Sequence, residues 1–163
     1  MNKNIYTVSN EQGQSLSVVG DTYRILISGE QTDNNYAVID MLIPPGGGPG
    51  PHAHKHIQEM FYVVEGEIDF KMEEGSYTAK AGSFVNIPLG GAVHSFKNTS
   101  DNVAHMLCTV VPAGLESFFQ EIGKSVESGK FLPPAVPTRE EIEKIKSIAE
   151  KYGQELYPPD FLG

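Results

Sequence analysis

The residues best suited to chemistry lie between Gly46 and Gly66, in the stretch GGGPGPHAHKHIQEMFYVVEG. His52 and His54 are two apart, so in an extended chain both rings leave the same face. Glu59 opens the apolar segment that follows and can reach back across a turn. His94 sits on a separate segment after another Gly/Pro turn, where a closed sheet can bring it opposite. Three imidazoles and one carboxylate suit a divalent ion and leave positions free on an octahedral one, as catalysis at a metal requires.

The neighbouring residues are less specific. His56 shares the parity of His52 and His54, so a shifted register with His54 and His56 as the pair is a second reading, leaving two residues before Glu59. His56 is assigned to the rim of a substrate pocket, with a solvated side chain as the alternative. Phe61 and Val63 have the phase of Glu59, and Phe96 that of His94, so these three are expected to wall the pocket. His105 and Cys108 have opposite phase, so at most one faces the interior, and both read as packing residues. The run Gly46-Gly47-Gly48 is no phosphate loop, because neither Lys-Ser/Thr nor a helix follows it.

The elements that must position these groups are short strands. SLSVV, TYRILIS and YAVIDMLI are rich in β-branched and aliphatic residues and are separated by turn chemistry at Gly20-Asp21 and from Gly29 to Asn35. In the third, Ala37, Ile39, Met41 and Ile43 share one apolar face. Pro44 and Pro45 stop the ladder, and the glycines permit a tight bend. EMFYVVEGEIDFKM then reads as a hairpin around Gly66, followed by strands over Tyr77–Pro88, AVHSFKN and VAHMLCTVV. The last is expected to be apolar on both faces and sandwiched between layers. About nine strands in a hundred residues, with Gly turns between them, imply an all-β sandwich or barrel.

Beyond Pro112 the period changes. Leu115, Phe118, Phe119, Ile122 and Val126 make one face of a helix that Gly129 can end. This stripe reads as packing rather than as a lid. Pro133, Pro134 and Pro137 form a linker, and Thr138 with Glu141 is a capping-box pattern. Ile142, Ile145, Ile148, Ala149 and Tyr152 stripe a second helix ending at Gly153. The expected division is a barrel over 1–112 and a helical extension over 113–163, packed outside the barrel, over its mouth, or on a partner subunit.

Composition removes several function classes. A formal charge of −9 and a pI near 4.9 repel phosphate backbones, so no nucleic-acid partner is expected. The first twelve residues hold no apolar core of a signal peptide, and the apolar runs are short, so a soluble cytoplasmic protein with no membrane partner is expected. Cys108 is the single cysteine, which rules out an intrachain disulfide and a thiolate cluster. Exposed strand edges and an apolar tail favour a homodimer.

Spacing adds a resemblance. Gly46, five residues, His52, one residue, His54, four residues, Glu59, six residues and Gly66 reproduces the first motif of the cupin family. Gly82, five residues, Pro88, one residue, Gly90, three residues, His94, three residues and Asn98 is similar to the second, with one extra residue between Gly90 and His94. The wording PPGGGPGPHAH, EMFYVVEGE and GLESFFQEIG resembles small cupins grouped with quercetin 2,3-dioxygenases.

The resemblance implies a double-stranded β-helix, the cupin jelly-roll barrel, here with a C-terminal helical extension. It also implies one divalent transition metal ion bound by His52, His54, Glu59 and His94. Fe, Mn, Ni, Co or Cu all suit imidazole and carboxylate donors, and Zn would argue against redox chemistry. The implied activity is a dioxygenase inserting O2 into a flavonol-like or other enolisable aromatic small molecule, with Glu59 also serving as general base. Two other classes remain: a non-catalytic metal-containing cupin that binds or senses a small acid or sugar, and a metal-assisted isomerase or epimerase.

Overall fold

The computed structural model describes residues 4–163. Three strands come first, β1 (Gln14–Val18), β2 (Asp21–Ile27) and β3 (Ala37–Ile43). The glycine loop leads into a short β4 (His52–His54), then β5 (Gln58–Glu65), β6 (Glu67–Met72) and β7 (Gly75–Lys80). β8 (Phe84–Ile87), β9 (His94–Lys97) and β10 (Ala104–Val111) complete the barrel proper. The tail adds α1 (Leu115–Ile122), β11 (Lys124–Ser125), α2 (Arg139–Lys151) and β12 (Gln154–Leu156).

Among the described residues these strands form two sheets. One runs β11-β1-β2-β3-β10-β5-β8 and the other β12-β4-β9-β6-β7. Their inner faces enclose one core, in which Phe61, Phe70 and Phe96 meet with ring centroids 5.4–5.6 Å apart. Each such ring contributes roughly 1.5–3 kcal/mol by leaving water. This mostly-β, two-sheet architecture bears out the all-β expectation.

The expected hairpin around Gly66 is not formed. β5 lies in the seven-stranded sheet between β10 and β8, while β6 lies in the other sheet between β9 and β7. Both edges of β5 are occupied, so the chain must cross between sheets at Gly66. That residue has φ +79°, and a Cβ there would stand 3.1 Å from the Cα of Ala104.

Nor is β10 buried on both faces. Ala104, Met106, Cys108 and Val110 face the core, whereas His105, Leu107 and Thr109 are half-buried because no layer covers the outside of this sheet. There Asp40 binds Arg24 at 2.9 Å and also contacts His105.

The tail also departs from expectation. α1 ends at Ile122, where Gly123 N–H bonds Phe119 O at 2.8 Å, instead of running on to Val126 and Gly129. Lys124 and Ser125 are drawn off to pair with β1, an edge with open hydrogen-bonding groups. α2 forms as expected, with the Thr138–Glu141 capping box closed in both directions. After Gly153, at φ +72°, β12 joins β4, so the segment contributes one strand to each sheet as well as two helices. Among the described residues no helix is long and apolar enough to cross a membrane.

Candidate metal centre

β4 and β9 pair with His52 opposite His94, and β5 delivers Glu59 from the facing sheet. Directly opposed residues of an antiparallel ladder project to one face, which brings these two imidazoles together at a centroid distance of 4.3 Å. His54 follows two residues on, 5.0 Å from His52 and 5.8 Å from His94. One donor atom from each of His52, His54, Glu59 and His94 lies within 4.8 Å of all the others, and all four residues are buried.

The glycine loop makes this approach possible. Gly48 has φ +120°, and a Cβ on it would collide with the carbonyl of Phe96 on β9. Asn98 ties the same region together. Its backbone pairs with Gly46 and Gly47, and its buried amide donates to Ile43 O at 2.9 Å and Asn102 O at 2.7 Å. The extra residue before His94 is taken up at Gly90 and Gly91, at φ +114° and +84°, so β9 still begins on His94.

Ring orientation suits an ion. His52 donates from Nδ1 to Gly50 O at 2.8 Å, and His94 from Nδ1 to Ala92 O at 2.9 Å, which leaves each Nε2 as a lone pair. Nε2 of His94 nevertheless lies 3.0 Å from Glu59 Oε2, and that of His54 lies 3.2 Å from the same oxygen. Lone pairs gathered on a carboxylate repel one another unless a cation stands among them. His54 sharpens the point, since neither of its buried ring nitrogens has a hydrogen-bond partner among the described residues. The residues present therefore fit a divalent ion.

Burial alone would raise the Glu59 carboxyl, but the imidazoles of His54 and then His94 packed against it outweigh burial and hold Glu59 below the usual carboxylate range. Burial, followed by the charge of His94, lowers His52 to about 3. Cys108 Sγ lies 3.9 Å from Glu59 Oε1, and burial with that neighbouring charge pushes its thiol up. It is thus the inward-facing member of the His105/Cys108 pair.

The cluster opens into a cavity of about 610 Å3. Of the expected wall residues Phe96 lines it, while Phe61 and Val63 are sealed in the core behind Glu59, in the tightly packed middle between the sheets. His56 is exposed and belongs to a neighbouring surface hollow with Lys55 and Glu150, because the chain leaves the β4 ladder after His54. The opposite wall comes from Leu115, Phe118, Phe119 and Ile122 of α1, Ile142 and Ile145 of α2, and Leu156. Hence the α1 stripe packs and lines the cavity at once, and the tail lies over the barrel mouth.

Asp21 and Tyr23 also line the cavity, and sequence reasoning had assigned Asp21 to a turn. Tyr23 Oη donates to Asp21 Oδ2 at 3.0 Å, and Gly48 N–H donates to Oδ1 at 3.2 Å. Burial raises this carboxyl to about 7 despite those bonds. The available signal was parity, since Asp21 shares the face of Tyr23 and Ile25, both buried.

Comparison with known proteins agrees with this geometry. Residues 39–110 match the cupin domain. The chain is 25% identical over 154 residues to quercetin 2,3-dioxygenase of Bacillus subtilis (strain 168), covering 94% of this chain and 44% of that one. It thus spans less than half the length of the curated relative. A predicted oxalate decarboxylase from Thermotoga maritima superposes with a TM-score of 0.60 at 23% identity, over 66% of this chain and 99% of that one. An RmlC-like cupin from Shewanella frigidimarina gives 0.57 at 19% identity, over 72% and 99%. A sugar phosphate isomerase from Silicibacter pomeroyi gives 0.52 at 22%, over 58% and 61%. These structures share the fold and differ in their described activities. Motif spacing, sheet topology and the matched model converge on a cupin domain over residues 39–110 of this chain.

Proposed function

We propose that the chain is a metal-dependent dioxygenase of quercetinase type, inserting O2 into a flavonol-like or other enolisable aromatic substrate. The observation that carries this reading is the His52, His54, Glu59 and His94 cluster at the end of an apolar-walled cavity of about 610 Å3. That volume lies within the range of sites for drug-sized ligands. The distant likeness to quercetin 2,3-dioxygenase over most of this chain supports the same reading.

A divalent transition ion held by the four residues supplies Lewis acidity toward a substrate hydroxyl and redox access to O2. Glu59, held ionised by its imidazole neighbours, is both a donor toward that ion and the base that takes the hydroxyl proton. Phe96, Phe118 and Phe119 flank a planar ligand and exclude water from the anion that this transfer leaves. Asp21 braces the glycine loop that leads into His52.

A second copy of the chain is the proposed partner. Tyr62 and Phe84 are exposed and directly opposed on β5 and β8, with exposed Val64 beside them at the free edge of the larger sheet. A cytoplasmic setting is part of the same reading.

The test is anaerobic purification, reconstitution with Fe, Mn, Ni or Co, and oxygen uptake with quercetin. Substrate-dependent uptake is expected for at least one metal. No uptake with any of them sinks the flavonol assignment, and ligand-induced thermal stabilisation without turnover would instead favour a binding cupin.

A further inference from the structure

Two of the three imidazoles in the cluster have their outer nitrogen held by the backbone, and the third does not. Nδ1 of His52 and of His94 bond Gly50 O and Ala92 O. Nε2 of His54 faces Glu59 at 3.2 Å, which turns Nδ1 away from the cluster, buried and without a partner among the described residues. An imidazole free to change tautomer or tilt is a poor ligand, because the ion needs the lone pair at one nitrogen and the proton at the other.

Across the β4–β12 ladder, Gln154 is the residue directly opposite His54. Opposed residues on antiparallel strands share a face, with Cβ atoms roughly 4.5–5.5 Å apart, within reach of a glutamine amide and a ring nitrogen. Gln154 lines the cavity, is 7% exposed, and its Oε1 is likewise buried without a partner among the described residues. A buried acceptor and a buried donor therefore stand unpaired on one face of one ladder. Left unpaired, each carries the full penalty of its lost hydration, and a single bond satisfies both.

We propose that Gln154 is the positioning residue of His54, its amide oxygen accepting the Nδ1–H and so fixing Nε2 toward Glu59. This rests on the metal-site part of the proposed function and not on the substrate. It gives the tail a chemical task. Gln154 lies outside the matched cupin domain of residues 39–110, yet it supplies the outer hydrogen bond that the backbone supplies to the other two histidines.

The test compares wild type, Gln154→Leu and Gln154→Glu. Zn(II) affinity is measured by chelator competition, and histidine ring tautomers are read by nitrogen NMR on the metal-free and zinc-loaded protein. Gln154→Leu should weaken zinc by about 10–100-fold and release His54 from the Nδ1–H tautomer. Gln154→Glu, which keeps an acceptor, should stay within a few-fold of wild type and retain the tautomer. Amide exchange on β12 shows whether the strand is still paired. Unchanged affinity and tautomer in Gln154→Leu overturn the proposal. So does equal weakening in both variants accompanied by loss of β12 protection, which would mark a purely structural role. Because the tautomer is read on metal-free protein, the outcome is independent of whether quercetin is turned over.

Discussion

The floor and the roof of the cavity are built by different rules. At the floor, His52, His54, Glu59 and His94 come from β4, β5 and β9, and two of the rings are aimed by hydrogen bonds to backbone carbonyls. At the roof, Leu115, Phe118, Phe119, Ile142 and Ile145 come from two helices, and they need only be apolar and large enough to meet. Directional chemistry demands particular residues at particular spacings, whereas apolar closure accepts many sequences of similar volume. The floor can thus be lost by one substitution that leaves the fold intact, and the roof can be damaged without touching a ligand.

The sharpest break is at the floor. His94→Ala should lower metal affinity by more than ~100-fold, beyond what the loss of an outer hydrogen bond typically costs, and as severely as His52→Ala. Metal quantitation after desalting checks this, and retained metal in His94→Ala alone would remove β9 from the site. At the roof, Phe118→Ala should cost about 3–5 kcal/mol in denaturant unfolding. Phe118 is buried against Phe119 and Tyr152, with ring centroids 5.6 and 6.2 Å away. The folded fraction should keep its metal stoichiometry; parallel loss of metal would show that roof and floor are not separable.

A smaller effect separates two buried groups at the floor, Asp21 beneath the glycine loop and His52 in the cluster, by sign. In metal-free protein the Asp21 carboxyl rises from 3.8 to about 7, so the native state holds the proton more tightly. Its contribution is most favourable below the unfolded value and is lost as pH rises through about 7, at up to ~1.4 kcal/mol per pH unit. His52 falls from 6.5 to about 3, so its neutral form is favoured and stability is lost as pH falls through that window. Asp21→Asn should therefore gain on wild type by roughly 2 kcal/mol more at pH 7.5 than at pH 5, read by urea unfolding. An equal difference at both pH values would mean that Asp21 does not titrate there.

What was legible follows the same division. The parity of His52 and His54, the alternation of Ala37, Ile39, Met41 and Ile43, and the Thr138–Glu141 box are local patterns, and each appears as read. Gly66 looked like a hairpin turn because a glycine between two strands has the same local signature whether the chain reverses or crosses between sheets. Only the occupied edges of β5 distinguish the two cases. The α1 stripe gave its apolar face but not its neighbour, so its place in the wall of the cavity that holds His52, His54 and Glu59 was invisible.

The sequence by itself determined the shared face of His52 and His54, the strand period and the Thr138–Glu141 capping box, because these depend on residues within a few positions of one another. The tertiary structure decided that His94 stands opposite His52 despite an extra residue, that Phe61 and Val63 are core while Phe96 is wall, and that Gln154 faces His54. Those facts rest on pairings between distant strands. Such pairings are chosen by the packing of the whole barrel, which no local spacing encodes.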